Sequence, residues 1–510
     1  MTEHDDQVFD QRVGRRNVLL GAAALGGAAP LLWQAEEAAA ATPAIGPRWI
    51  AFGPDPTSQV YVTWSVGSAS AKTTKPPAPK IRYGRYASYG ATLPVDSSKP
   101  VPMPSPSEGE PAENTIYNSV LLKSLAPGTT YHYAVSNDGV TWSGDAAFTT
   151  AAAGPSAFRF TAFGDQATKA STAGQMASLV AAQRPAFHLI AGDMSYSTPL
   201  PLKYPDVTGF KPSQWDAYLK LIGPRAAQTI PWHPSVGAHE VEPLGNHGYD
   251  GFVTRFPQGY DITSGSPVTR TYRYGTVAFV HLDGNELSAQ ETVNTGYSRG
   301  AQTAWLNRQL AAYRADDTID FIVAVCNCCC YSTNREHGSD GGLRDVWGPI
   351  FDQHQVDLVI SGHVHAYERT NPIRNATVTR HVAAGGTIYP ATDGTTYICA
   401  GGGGNGLYAT WYGTTDAGDA GNSTAPKIWR WTGGDTANGG TGKSENVTDH
   451  ASGFSAVRRG VYSCVVVDVT PTAAGRPATM HVRTLMPAQS SATVTSITNP
   501  SVIDSISLVR

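Results

Sequence analysis

The chain has 510 residues, 41% hydrophobic and 15% charged, which is ample for a core and too long for one ordinary domain. A formal net charge of -4 and a pI near 6.4 exclude an electrostatic case for nucleic acid or an anionic membrane surface. Gly (53) and Pro (35) are abundant enough to favour turns and long loops over helical bundles.

At the N-terminus, Arg15-Arg16-Asn17-Val18-Leu19-Leu20 opens an apolar, Gly/Ala-rich run to Trp33, and Ala38 to Ala41 offer a small-residue cleavage site. The segment resembles a twin-arginine signal, with Gly14 where Ser or Thr is commoner. Residues 1–41 are therefore expected to be cleaved, and the protein to be exported to the cell envelope or beyond by the twin-arginine machinery. The 17 residues from Asn17 to Trp33 sit at the short limit for crossing a bilayer, so no membrane span is expected in the mature protein.

Residues 46–150 carry β signals throughout. Val60 to Trp64 and Tyr131 to Val135 alternate, and Tyr117 to Leu122 and Phe148 to Thr150 are strand-like, which predicts an all-β sandwich. Leu125-Ala126-Pro127-Gly128-Thr129-Thr130-Tyr131 resembles the loop and tyrosine corner of fibronectin type III domains. The Pro-, Ser- and Lys-rich inserts Ser68 to Lys80 and Asp96 to Glu113 are expected to be mobile loops. This domain shows no catalytic constellation and reads as a scaffold.

After the Ala151 to Pro155 linker, over residues 156–510, strands and helices alternate. Strands are predicted at Phe158 to Phe163, Phe187 to Ala191, Trp232 to Val236, Thr276 to Leu282, Phe321 to Val325 and Val356 to Ile360. Helices are predicted at Ser171 to Gln183, Gln302 to Tyr313 and Leu343 to His354. The alternation implies an α/β domain, a parallel sheet with helices on its faces and ligands just past the strands' carboxyl ends. The Gly-, Thr-, Asn- and Asp-rich stretch from Trp411 to Gly453 reads as a long loop bordering the site.

The chemistry-bearing residues fall at those strand ends. Gly164-Asp165, Gly192-Asp193 with Tyr196, Gly237-Ala238-His239-Glu240 and Gly362-His363-Val364-His365 follow four predicted strands in order. Each glycine is expected to turn the backbone sharply so that the next side chain faces the crevice. Two imidazoles two residues apart on extended chain share a side, a carboxylate between two cations bridges them, and a tyrosinate suits a ferric ion. Gly245-Asn246-His247 offers a second Gly-Asn-His, read as a turn.

These blocks resemble those of purple acid phosphatases, within the calcineurin-like metallophosphoesterases, over roughly Arg48 to Arg374. The resemblance implies a fibronectin-like sandwich, then an α/β metallophosphoesterase domain in which a β-sheet sandwich is flanked by helices. It implies that Asp165, Tyr196 and His365 hold the first metal, Fe(III), that Asp193 bridges, and that His363 holds a divalent second metal (Zn, Mn or Fe). His239 and His337 would face a small phosphate-ester substrate, hydrolysed by water activated on the metal pair. The alternatives are a phosphodiesterase, or a non-catalytic phosphate- or surface-binding relative.

The chain also departs from the pattern. Gln166-Ala167 lacks the usual second glycine of the first block. Ala238 stands where an asparagine should bind the second metal, and Asn327 where a histidine should. Asn327 itself, or a thiolate of Cys326 or Cys328, could supply the missing ligand, soft sulfur suiting zinc. The run Cys326 to Cys330 otherwise reads as buried thiols with one disulfide among them, and Cys399 with Cys464 as a possible pair.

Overall fold

The computed structural model describes residues 44–67, 75–101, 115–199, 209–413, 425–433, 442–451 and 453–510; the expected signal lies outside them. Between Ile45 and Thr149, eight strands form two antiparallel four-stranded sheets. One runs in the order Ile45–Phe52, Val60–Val66, Ile116–Leu122, Ser97–Pro100; the other in the order Ala91–Pro94, Lys80–Gly84, Thr130–Ser136, Ala146–Thr149. Val62, Trp64, Ile81, Tyr133 and Val135 fill the space between them. The Tyr131 hydroxyl accepts from the Ala126 amide at 2.9 Å and closes the corner before its strand.

The insert Asp96 to Glu113 is not all loop. Ser97–Pro100 pairs with Ile116 to Ser119 as an edge strand. Its sequence is poor strand former, but an edge needs only one row of main-chain bonds and tolerates proline. Residues 102–113 of that insert, and residues 68–74 of the other, fall outside the described residues.

Among the described residues the second domain is the expected β-sheet sandwich flanked by helices, with two seven-stranded sheets where strand alternation alone implied one parallel sheet. In the first, Phe158–Phe163, Phe187–Ala191 and Trp232–Ser235 are parallel, and Cys464–Thr470, Thr479–Gln489 and Val494–Val509 extend it antiparallel, with Gly386–Ile388 at the edge. In the second, Val277–His281, Phe321–Cys326, Leu358–Ser361 and Thr396–Ala400 are parallel, flanked by antiparallel Arg270–Tyr274, Tyr367–Thr370 and Ser455–Arg459. Phe160, Leu189, Phe279, Val323 and Ile360 pack the sheets face to face. The helices Gln175–Gln183 and Ser213–Ile222 cover one outer face, and Ala301–Ala315 and Gly341–Gln353 the other. The late glycine-rich stretch is likewise not all loop: Lys427–Thr432 and Lys443–Thr448 pair antiparallel and join Ser339–Asp340.

One buried ion pair ties the sheets together beside the site. Arg369 and Tyr367, on the strand that directly follows His365, donate to Asp504 at 2.6 and 2.7 Å, and the Arg369 and Asp504 side chains are at most 1% exposed. Asp504 lies on the last strand of the first sheet. Asp504→Ala strands a buried guanidinium and should cost about 3–5 kcal/mol. Asp468, a third exposed between Arg159 and Arg483, should cost under about 1 kcal/mol on the same change. Thermal unfolding of the two variants checks this; equal shifts in Tm would contradict it.

Candidate metal centre

Loops leave the carboxyl ends of the parallel strands of both sheets and meet at one edge of the sandwich. Main-chain bonds lace them together. Asp165 N donates to Gly192 O at 3.1 Å, Gly362 N to Asn327 O at 2.9 Å, and Gly403 N to Gly164 O at 3.0 Å. The turns are made by the functional residues more than by their glycines. Asp165, Asp193, Tyr196 and His363 have φ between 52° and 67°, while of the four block glycines only Gly192 has a positive φ, at 78°. Gly237 and Gly362 are needed for another reason, since a Cβ at either would run into Asp193 or Asp165.

Three donors form a triangle. The Tyr196 hydroxyl lies 3.1 Å from Asp165 Oδ1 and 2.9 Å from His365 Nε2, which is 3.5 Å from the same carboxylate oxygen. Metal–nitrogen and metal–oxygen bonds of about 2.0–2.2 Å put adjacent ligands about 3 Å apart, so this triangle fits one face of a single cation's shell. His365 Nδ1 donates to Gly406 O at 2.6 Å, which leaves the Nε2 lone pair aimed at the other two donors. Tyr408 stacks on His365, centroids 4.1 Å apart, and braces the ring.

Asp193 sits next to this group, and its charge is felt by Asp165 and Glu291 alike. Its Oδ1 accepts from His239 N at 3.0 Å. Behind it, buried Glu240 accepts from the amides of Asp193, Met194 and Gly237 at 2.7–2.8 Å, so one carboxylate fixes two blocks. His239 holds Thr198 O through Nδ1 at 2.5 Å and lies over Tyr196, centroids 4.2 Å apart. Its Nε2 is thereby the working nitrogen.

On the far side, His363 is 3% exposed and its Nε2 has no hydrogen-bond partner. Glu291 Oε1 approaches it to 3.9 Å, and the His337 ring lies 4.1 Å from its own. One ligand atom from each of Glu291, His337 and His363 falls within 4.8 Å of the others. Sequence reasoning missed Glu291, Gly406 and Tyr408, and placed Glu240 in its block without a role for it. Glu291 lies past the Val277–His281 strand and the Gly284–Glu286 turn, in a segment whose local pattern gave no signal for it.

The electrostatics suit cations. Burial, then the Asp193 charge, pushes the Asp165 carboxyl well above the carboxylate range, and burial with Asp193 and Asp340 pushes Glu291 up to about 7. Burial holds His363 well below its usual value, His365 down to about 3 and His337 down to about 4. Neutral imidazoles and crowded carboxylates are what a bound ion requires of its donors.

The remaining candidates differ in what surrounds them. Ala238 is buried in the apolar cluster with Val236 and Val241 and offers no donor. Asn327 spends Nδ2 on Ala191 O at 2.9 Å, and its buried Oδ1 has no partner. All six cysteines are free and buried, so neither expected disulfide is formed. Cys326, Cys328 and Cys330 pack in the apolar layer under the Gly341–Gln353 helix. Cys399 lies on the second sheet beneath the His363 loop and Cys464 on the first, with the intervening core between them. Gly245-Asn246-His247 is a left-handed turn, with His247 against Tyr297. Gln166 ties its loop to Tyr218 and Ala173 instead of turning it.

Comparison with known proteins agrees with this architecture. Residues 49–150 match the model of the purple acid phosphatase N-terminal domain, and residues 158–367 that of the calcineurin-like phosphoesterases. An uncharacterized protein of Mycobacterium tuberculosis is 30% identical over 74% of this chain and 72% of that one. Purple acid phosphatase 22 of Arabidopsis thaliana is 28% identical over 50% of this chain and 54% of its own. A purple acid phosphatase from yellow lupin (Lupinus luteus) seeds shares the fold, with a TM-score of 0.63 and 17% identity over 92% of this chain and 75% of that one. In its matched domains, its strand order and the convergence of its strand-end loops, the chain belongs to the calcineurin-like phosphoesterases of the purple acid phosphatase type.

Proposed function

We propose that the protein is an exported, metal-dependent hydrolase of phosphate monoesters. The family is hydrolytic and built around a dinuclear metal centre. The observation that carries the reading is the Asp165, Tyr196 and His365 triangle, with Asp193 beside it and His239 at its rim. The phosphatases named among its relatives favour a monoester over a diester. The twin-arginine-like segment supports export, and among the described residues no helix is long and apolar enough to cross a membrane.

Bound cations supply charge that polarises a phosphoryl group and acidifies a water. The rest falls to this chain's side chains. Asp165, Tyr196 and His365 would hold one ion, ferric iron being the partner a tyrosinate oxygen favours. Asp193 would lie between the two ions. His239, its Nδ1–H fixed on Thr198, would present Nε2 to the leaving oxygen and, as the imidazolium, pass it the Nε2 proton and return to the neutral ring. The absence of a donor at Ala238 keeps a second reading in view, a relative that binds phosphate and turns over slowly or not at all.

Two experiments test this. The mature protein supplied with iron and zinc should hydrolyse an aryl phosphate; Asp193→Asn should bring the rate to background, and His239→Ala should lower kcat by about 10²–10⁴. Metal-loaded protein inert on aryl phosphates would favour the binding reading. Iron-loaded protein should also show a visible tyrosinate charge-transfer band that Tyr196→Phe removes. A band that survives the substitution would dismiss Tyr196 as a ligand.

A further inference from the structure

Glu291, His337 and His363 form a donor set that the sequence pattern does not contain, and the geometry points to it as the seat of the second cation. The inference rests on the metal-centre reading above and specifies its weaker half. Two ligands expected there are lost, an asparagine at Ala238 and a histidine at Asn327. Two donors from other loops stand beside the one that remains, within 4.8 Å of it and of each other. His337 is then a ligand and not a substrate-facing group.

Two observations support the assignment independently of the spacing. First, His363 Nε2 is buried, faces this group and bonds to nothing, a state that costs about 1–3 kcal/mol unless something fills it. Among the described residues, no arginine or lysine meets the Glu291 carboxylate within ion-pair distance; its nearest partner is that same nitrogen at 3.9 Å. A divalent ion between them would satisfy both.

Second, the loops carrying the two recruited donors are tied to one frame. Asp340, three residues after His337, accepts from Ser288 Oγ at 2.5 Å and from the amides of Ala289 and Gln290 at 3.1 and 3.3 Å. The late hairpin clamps both sides: Trp429 donates to His337 O at 2.9 Å and Trp431 to Leu287 O at 3.0 Å. Gln290, the neighbour of Glu291, meets His337 Nδ1 with its amide while its Oε1 is buried without a partner. With that amide turned by half a rotation, Oε1 accepts the Nδ1 proton and leaves Nε2 for the ion, the usual outer bond of a metal-bound imidazole. Donors held this way lose little freedom on binding.

The test is metal stoichiometry and Co²⁺ absorption of the mature full-length protein, measured by equilibrium dialysis against Zn²⁺ or Co²⁺. Wild type should bind two equivalents. Glu291→Gln, close to Glu in shape, should keep one equivalent with at least a tenfold loss of affinity for the other. Asp165→Asn should lose the other equivalent and keep the Glu291-dependent Co²⁺ bands. Two tight equivalents in Glu291→Gln, or loss of the second ion from Asn327→Ala but not from Glu291→Gln, would overturn the assignment while leaving the first site standing. Wild type that binds no metal would overturn both.

Discussion

Three carboxylates, Asp165, Asp193 and Glu291, converge at one edge of the sheet sandwich, and among the described residues no arginine or lysine reaches them within ion-pair distance. Burying that much like charge costs several kcal/mol per group unless a countercharge arrives. Elsewhere buried acids are either paired, as Glu242 with Arg255, Asp449 with Arg344, Asp504 with Arg369 and Asp357 with Arg314 and Arg510, or saturated by neutral donors, as Glu368 by Ser332, Thr333 and Ser455. At this edge the groups beside Asp165 and Glu291 include three low-pKa imidazoles and a phenol, which are metal donors and not countercharges. The centre is a deficit of positive charge held in place by the fold.

Holding it requires stiffness, and the packing supplies that. The loops begin at strands buried on both faces, so their starting points are fixed by the core. Four site residues adopt left-handed backbone, a conformation that persists only where the surroundings over-determine it. Separate buried acids anchor the loops: Glu240 holds the second and third blocks, Glu368 bonds Ser332, Thr333 and Ser455, and Asp504 holds Arg369.

Much of this was legible in the sequence. Alternating apolar runs gave the strands, and Asp165, Asp193, Tyr196, His239, His363 and His365 stood out because each follows a strand within a glycine-led block. Three things did not follow from pattern. The antiparallel strands after Thr396 turned one expected sheet into two, since C-terminal strands such as Cys464–Thr470 insert beside the first strand through long-range pairing that no local period encodes. The glycine-rich hairpin at Lys427 to Thr448 forms because Trp429 and Trp431 find carbonyl partners on loops far away in sequence. Glu291 was hidden for the same reason, because only the folded chain brings it to His363.

The most direct test of a two-ion centre assembled from Asp165, Tyr196 and His365 on one side and Glu291, His337 and His363 on the other is anomalous X-ray diffraction. Crystals of the mature protein would be measured at the iron and zinc edges. The account predicts two peaks flanking Asp193, each about 2.0–2.2 Å from its three donors. No peak within bonding distance of Tyr196 and His365, or a second peak bonded to Asn327 with Glu291 left outside its shell, would contradict it.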